Sequence, residues 1–406
     1  MDMIKLLVIF AIIILFLRRR QPLMVAVTAA GVAAVFLYQL PPEAAWRAVV
    51  KGGTGWTTIE TLLVFYSITY LQRMLEKRKN LSNARLALSG IFNNNRINAS
   101  IVPFLMGMLP AASTVLICGP IVRESVGEAL SDPEKACVTS YYRHVSECFL
   151  PTYTSIFIAI GLTEGRVSVS AFLLAMLPMV AALMFSGWAV YLRRVPKDTG
   201  FVPDQPKSSY WLLLGKSVWS IVATILLILL FHLPVELAVL ICIFANIFIN
   251  HFSLAELLPF FKSAFEKRLI LSTWLVMIFK EILGATGVIE SLPAFFSSLP
   301  VPMFLIFALI FFFGAVVAGT QAIIVLCMPM AMAALGEGPG VLPLFVLLMC
   351  MAYAAAQCSP VHICLLMCAE DYGISLGELI KKTMPLIVVF CAIAFAYYGL
   401  LMLLHI

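Results

Sequence analysis

Residues 302–335 read PMFLIFALIFFFGAVVAGTQAIIVLCMPMAMAAL, a run with no Asp, Glu, Lys or Arg. A helix needs about 20 apolar residues to cross a bilayer. This run is too long for one crossing and carries Val317-Ala318-Gly319-Thr320-Gln321 at its centre. Glycine weakens a helix there, and hydroxyl and amide side chains follow at once. Irregular backbone at membrane depth persists only where protein or a wet cavity satisfies its polar groups. The spacing therefore predicts a re-entrant hairpin that turns near mid-membrane and leaves by the face it entered. An earlier run, 98–126, repeats the pattern around Leu109-Pro110-Ala111-Ala112-Ser113-Thr114.

The surrounding chain is built of the same material. Of its 406 residues, 62% are apolar and 12% are charged, against roughly 25% charged in a soluble domain. Mean hydropathy is +1.02. These values predict an all-α polytopic membrane protein, with the lipid bilayer as its solvent. The other expected spans are 3–17, 22–40, 57–75, 136–163, 169–192, 209–231, 234–250, 268–288, 341–369 and 376–404. Gln72 to Asn98 and Arg193 to Ser209 read as loops. Residues 251–268, with Leu254, Leu257, Leu258, Phe260 and Phe261 among Lys262, Glu266 and Lys267, read as an amphipathic helix lying at the interface. The apolar N-terminus has only Lys5 as a charged start. Arg18 to Arg20 follow it without a small-residue cleavage site, so 3–17 is expected to be a first span and not a cleaved signal.

The net charge of +6 does not point to nucleic acid, because the basic residues sit in a few loops between spans. Arg18 to Arg20, Arg73, Lys77 to Lys79, Arg85, Arg96, Lys135, Arg193, Arg194, Lys197, Lys207, Lys262, Lys267, Arg268, Lys381 and Lys382 fall on one side. Lys5, Arg47, Lys51 and Arg166 fall on the other. This positive-inside pattern holds only if both hairpins are re-entrant, and it places both termini outside the cytoplasm in a cell (inner) membrane. Ten cysteines lie in or beside apolar runs, without the paired loop spacing of a disulfide scaffold.

An internal repeat emerges at an offset of about 207 to 212 residues. Gly107 precedes Ser113 by six, as Gly314 precedes Thr320; Glu147 and Pro151 are matched by Gln357 and Pro360, and Pro178 by Pro385. Each half then has five crossings and one hairpin, and an odd number of crossings inverts the second half. The expected organisation is a first inverted repeat over 1–192, a cytoplasmic linker over 193–208 and a second repeat over 209–406. Within them, 1–97 and 209–300 form scaffold parts, and 98–192 and 301–406 form hairpin and transport parts.

Two long spans also break near mid-depth, at Arg143-His144-Val145-Ser146-Glu147-Cys148-Phe149-Leu150-Pro151-Thr152 and at Gln357-Cys358-Ser359-Pro360-Val361-His362. Proline frees a carbonyl one turn back, and half-helix N-termini attract anions. Four breaks converging at a repeat interface would make a transport site; each alone would be an ordinary membrane-helix kink. Candidate substrate contacts are Ser113, Thr114, Thr152, Thr320, Gln321, Ser359 and His362. Candidate ion-coupling residues are His144, Glu147 and Gln357. His144 and Glu147 share a helix face, and they read equally as a proton-coupling pair or as a network locking helices together. Lys280 and Glu281 lie within 268–288, where Lys280 either stands in for a coupling cation or compensates charge, a pairing with Glu147 being one option. Cys358, His362, Cys364 and Cys368 invite a metal reading, yet no acidic or second histidine ligand joins them at a fitting spacing, so no metal is expected. Nor is an enzyme, since hydrolase, metalloprotease and Walker motifs are all missing.

Tyr142 to Tyr153, and Ser359-Pro360-Val361-His362-Ile363-Cys364-Leu365, resemble the signatures of the integral-membrane domain-of-unknown-function 401 family. The resemblance runs over nearly the whole chain. That family is placed in the ion transporter superfamily with gluconate, citrate and dicarboxylate permeases. The resemblance implies inverted repeats, re-entrant hairpins, and a homodimer with a scaffold and a moving transport domain. One departure is the first tip, Pro110-Ala111-Ala112-Ser113, where the family has a Pro-x-Pro-Gly-Gly-like sequence. The superfamily's Ser-Asn-Thr sodium motif is absent from both tips, which favours H+ over Na+ as coupling ion. The expected function is symport of a small organic anion. A channel or exporter of small anions, or a non-transporting membrane subunit, are the alternatives.

Overall fold

A computed structural model describes residues 2–19, 21–108, 114–151, 153–198, 205–231, 233–288, 300–336, 340–359 and 362–405. Among the described residues there are helices and turns but no strand. The first half runs α1 (Asp2–Arg18), α2 (Leu23–Leu37), α3 (Pro42–Thr54), α4 (Trp56–Lys77), α5 (Asn80–Phe92), α6 (Asn95–Gly107), α7 (Thr114–Val126), α8 (Asp132–His144), α9 (Thr154–Gly161) and α10 (Val169–Val190). The second half runs α11 (Lys207–Phe231), α12 (Val235–Ile249), α13 (Leu254–Ala264), α14 (Lys267–Ala285), α15 (Met303–Ala318), α16 (Thr320–Leu335), α17 (Val341–Ala356), α18 (Ile363–Asp371) and α19 (Leu376–Leu403).

Local chemistry fixes the boundaries. Helices α8, α13 and α19 start with capping boxes, Ser131 with Glu134, Ser253 with Glu256, and Ser375 with Glu378, so that two orphan N–H groups are satisfied at each start. Gly319 separates α15 from α16 at φ 87°, a conformation that a side chain resists. Helices α10, α11 and α19 are long and apolar enough to cross a membrane, and Phe185, Leu230, Phe231, Val388 and Leu403 are exposed along them. A soluble fold would bury such a surface. This is a membrane protein.

Packing is reciprocal. Helix α2 lies on α14 and α12 on α4, while α3 lies on α14 and α13 on α4. The second helix of each of the pairs α6–α7 and α15–α16 also meets the other half: α7 touches α18, and α16 touches α9. Helix α8 crosses α19 as α17 crosses α10. The centre is made of α8, α16 and α17, whose inner stretches are buried throughout.

Two expectations need correction. The stretch Gln72 to Asn98 is mostly helical: α4 continues to Lys77, and α5 follows. Its buried Ala84, Ala87, Leu88 and Ile91 recur at helical spacing and face α11, where Asn80 Nδ2 donates to the Ser217 carbonyl (3.1 Å). Helix α3 was likewise not anticipated, because its short amphipathic run between Pro42 and Thr54 lacks the length of a span. The amphipathic segment within 251–268 is α13, with Leu254, Leu258 and Phe261 exposed. Arg78, the residue that follows α4, holds it, bonding Glu256 at 2.8 Å and keeping that carboxyl down to about 2.

Candidate functional site

The α8 helix ends at His144 and passes through a 3₁₀ turn, Val145–Cys148, before α9 begins at Thr154. This tight turn brings three polar side chains together. Arg143 is buried and bonds the Glu147 carboxylate through Nη1. His144 Nε2 lies 3.8 Å from the same carboxylate oxygen, and its Nδ1 lies 2.6 Å from the Ser140 carbonyl. The chain approaches α6 closely here: a Cβ on Gly107 would strike the Arg143 carbonyl and the Ser146 hydroxyl. Tyr153 donates its hydroxyl to the Gly107 carbonyl, satisfying a backbone acceptor at the end of α6.

The second break presents His362 as the N-cap of α18. Its Nε2 sits 3.2 Å from His144 Nε2, with the rings at 75° and centroids 5.0 Å apart. The two breaks therefore meet edge to edge, although they are more than two hundred residues apart in the chain.

Between them opens a cavity of about 460 Å³, lined by Arg143, Glu147, Tyr153, Ser155, Gly319, Thr320, Gln321, Tyr353, His362 and Cys364. Three helix N-termini face it: α9 through Ser155, α16 through Thr320 and Gln321, and α18 through His362 and Cys364. Each carries free N–H groups and partial positive charge, and Arg143 lies in the same wall. The volume is that of a small-ligand site, about 300–1,000 Å³.

Sequence candidates divide around this cavity. Thr320, Gln321, Glu147 and His362 line it, and His144 lies directly behind His362. Ser359 does not line it; its hydroxyl donates to the Val316 carbonyl at 2.8 Å. Gln357 is fully buried, and neither of its amide atoms has a hydrogen-bond partner among the described residues. Thr114 opens α7. Ser113 and Thr152 lie outside the described residues. A Glu147–Lys280 pair does not form. Arg143, one turn before Glu147 on the same face, takes the carboxylate, and Lys280 bonds Glu164 at 3.0 Å. Lys280 and Glu281 line another cavity, of about 560 Å³, with Lys51, Glu164 and Arg166. There Lys51 bonds Glu281 at 2.8 Å.

Arg143, Tyr153, Ser155, Tyr353 and Cys364 were missed as site residues. Arg143 stood in the quoted motif, and its i, i+4 spacing to Glu147 was the available signal. The others become neighbours only through the fold.

Residues 3–401 match the family described as protein of unknown function (DUF401). A crystal structure of the YdaH transporter of Alcanivorax borkumensis, described as having an unusual topology, is similar at a TM-score of 0.64. The identity is 12%, over 88% of each chain. No curated protein matches the chain.

Proposed function

Given that the chain belongs to the DUF401 family and shares the fold of a transporter, we propose that it is a secondary active transporter that moves a small organic anion together with a cation. The carrying observation is the meeting of three helix N-termini and Arg143 at one cavity. A helix terminus stabilises an anion by about 0.3–2 kcal/mol, and three aimed at one space favour a carboxylate-sized charge. Thr320, Gln321, Ser155 and His362 would orient it. Ser113, Thr114 and Thr152 remain proposed contributors from the first hairpin and first break.

The reciprocal contacts support a pair of inverted repeats, 1–192 and 209–406 around the 193–208 linker, each with a re-entrant hairpin and a discontinuous helix. On this reading α6 to α10 and α15 to α19 form a transport block, which slides as an elevator past a scaffold of the first three spans of each half, and the scaffold joins two copies in a homodimer. The termini would lie outside the cytoplasm of the cell membrane. Proton coupling fits the nitrogen, oxygen and sulfur donors at the breaks better than sodium coupling, because hard cations prefer all-oxygen cages.

The test begins with a thermal-shift screen of the purified chain against carboxylates, amino acids and inorganic anions, followed by uptake of the stabilising anion into proteoliposomes under an imposed pH gradient. Uphill accumulation is expected for the wild type. Glu147→Gln is expected to abolish it in a protein that still folds cooperatively, at a lowered melting temperature because Arg143 loses its charged partner. Full gradient-driven uptake by that variant would discard the proton role. Downhill flux alone from the wild type would favour a channel.

A further inference from the structure

We propose that His144, Glu147, His362 and Cys364 form a binding site for one divalent transition-metal ion of the zinc and cobalt class. Sequence spacing had argued against a metal, since His362 and the cysteines lacked an acidic or second histidine partner. The fold supplies both from the other break. One ligand-capable atom from each of the four residues lies within 4.8 Å of the other three. The two imidazole Nε2 atoms are 3.2 Å apart, and the carboxylate is 3.8 Å from His144 Nε2. Donors around a tetrahedral ion with Zn–N near 2.0 Å and Zn–S near 2.3 Å lie about 3.3–3.7 Å from one another. Small side-chain rotations close the set.

The neighbouring groups fit the role. The Ser140 carbonyl beside His144 Nδ1 places the proton on that nitrogen and turns the Nε2 lone pair toward the cluster, the orienting arrangement usual for ligating histidine. Cys364 is the second residue of α18, so a metal-bound thiolate there would sit beside the free N–H groups of a helix start. Glu147 already holds Arg143, but a carboxylate has lone pairs for a second partner. Two nitrogens, one sulfur and one oxygen suit zinc, cobalt or nickel and not magnesium or calcium. Each break gives two ligands, so the ion would staple the halves together beside the cavity. It would compete with protons for the same lone pairs. The site shares Glu147 and His362 with the proposed transport cavity, but its test is separate, since binding can be measured whether or not the chain moves an anion.

The test uses the full chain in detergent, without a polyhistidine tag, stripped by chelator and titrated with Co²⁺. One ion per chain is expected, with the visible bands of a tetrahedral site, a near-ultraviolet thiolate-to-cobalt band, and displacement by Zn²⁺. Cys364→Ser should lose the thiolate band. His362→Ala should weaken binding beyond the about 10–100-fold cost of removing an outer-shell partner. Melting profiles check that both variants fold. A wild-type chain that gives no saturable cobalt spectrum overturns the proposal, a result that needs no variant. So does binding that is unchanged in both substitutions.

Discussion

At the α8–α9 break, Arg143, His144 and Glu147 sit within one turn and satisfy one another. At the α17–α18 break the matching region holds Gln357, Ser359 and His362, and the buried Gln357 amide has no partner among the described residues. The surrounding contacts are alike: α6 packs on α8 as α15 packs on α17, while α7 touches α18 as α16 touches α9. The contact pattern thus recurs in both halves while the chemistry does not. One break holds a fixed ion pair. The other offers a helix start and a histidine that reaches across to it.

The sharpest way to break this comparison is to remove the cation from the charged side. Arg143→Leu leaves Glu147 buried without its partner. Breaking a buried pair in this way costs about 3–5 kcal/mol, so the variant should unfold at markedly lower denaturant in mixed micelles. The double variant Arg143→Leu with Glu147→Leu should recover most of the loss, because no unpaired charge remains. A single variant within about 1 kcal/mol of wild type would mean that the pair is solvated, as exposed pairs are, and the contrast between the breaks would vanish.

The neutral side should respond with the opposite sign. An unsatisfied buried polar group costs about 1–3 kcal/mol. Gln357→Leu removes the amide at similar volume, so it should leave stability unchanged or raise it by up to that amount. A clear loss would show that the amide serves a bound water or ion in the working protein, and would restore Gln357 to the coupling role that its match with Glu147 first assigned.

These two residues also mark how far the sequence was legible. Long apolar runs, breakers at matched offsets and the basic loops gave the helical class and the position of each break, because bilayer length and backbone satisfaction leave few alternatives. The link between Glu147 and Gln357 was visible as an offset. That Arg143 would take Glu147, and that His144 would meet His362, depends on how two distant turns pack, which no local pattern encodes. Helix α5 was lost for a different reason. Its Asn and Arg residues mask a buried face of small side chains at Ala84 and Ala87.

The smallest expected effect separates framework from site within the second break. Ser359 was a candidate substrate contact, yet its hydroxyl points to the Val316 carbonyl of α15 at 2.8 Å, tying the break to its own hairpin. Loss of one such bond costs about 0.5–1.5 kcal/mol. Ser359→Ala should therefore lower unfolding stability by that amount and leave anion affinity, measured by thermal shift or uptake, at the wild-type value. Thr320→Val is the control on the cavity side, where affinity should fall and stability should hardly move. If Ser359→Ala weakens binding instead, the second break contributes its hydroxyl to the occupant in some state of the cycle, and the two breaks are more alike in function than their geometry here makes them.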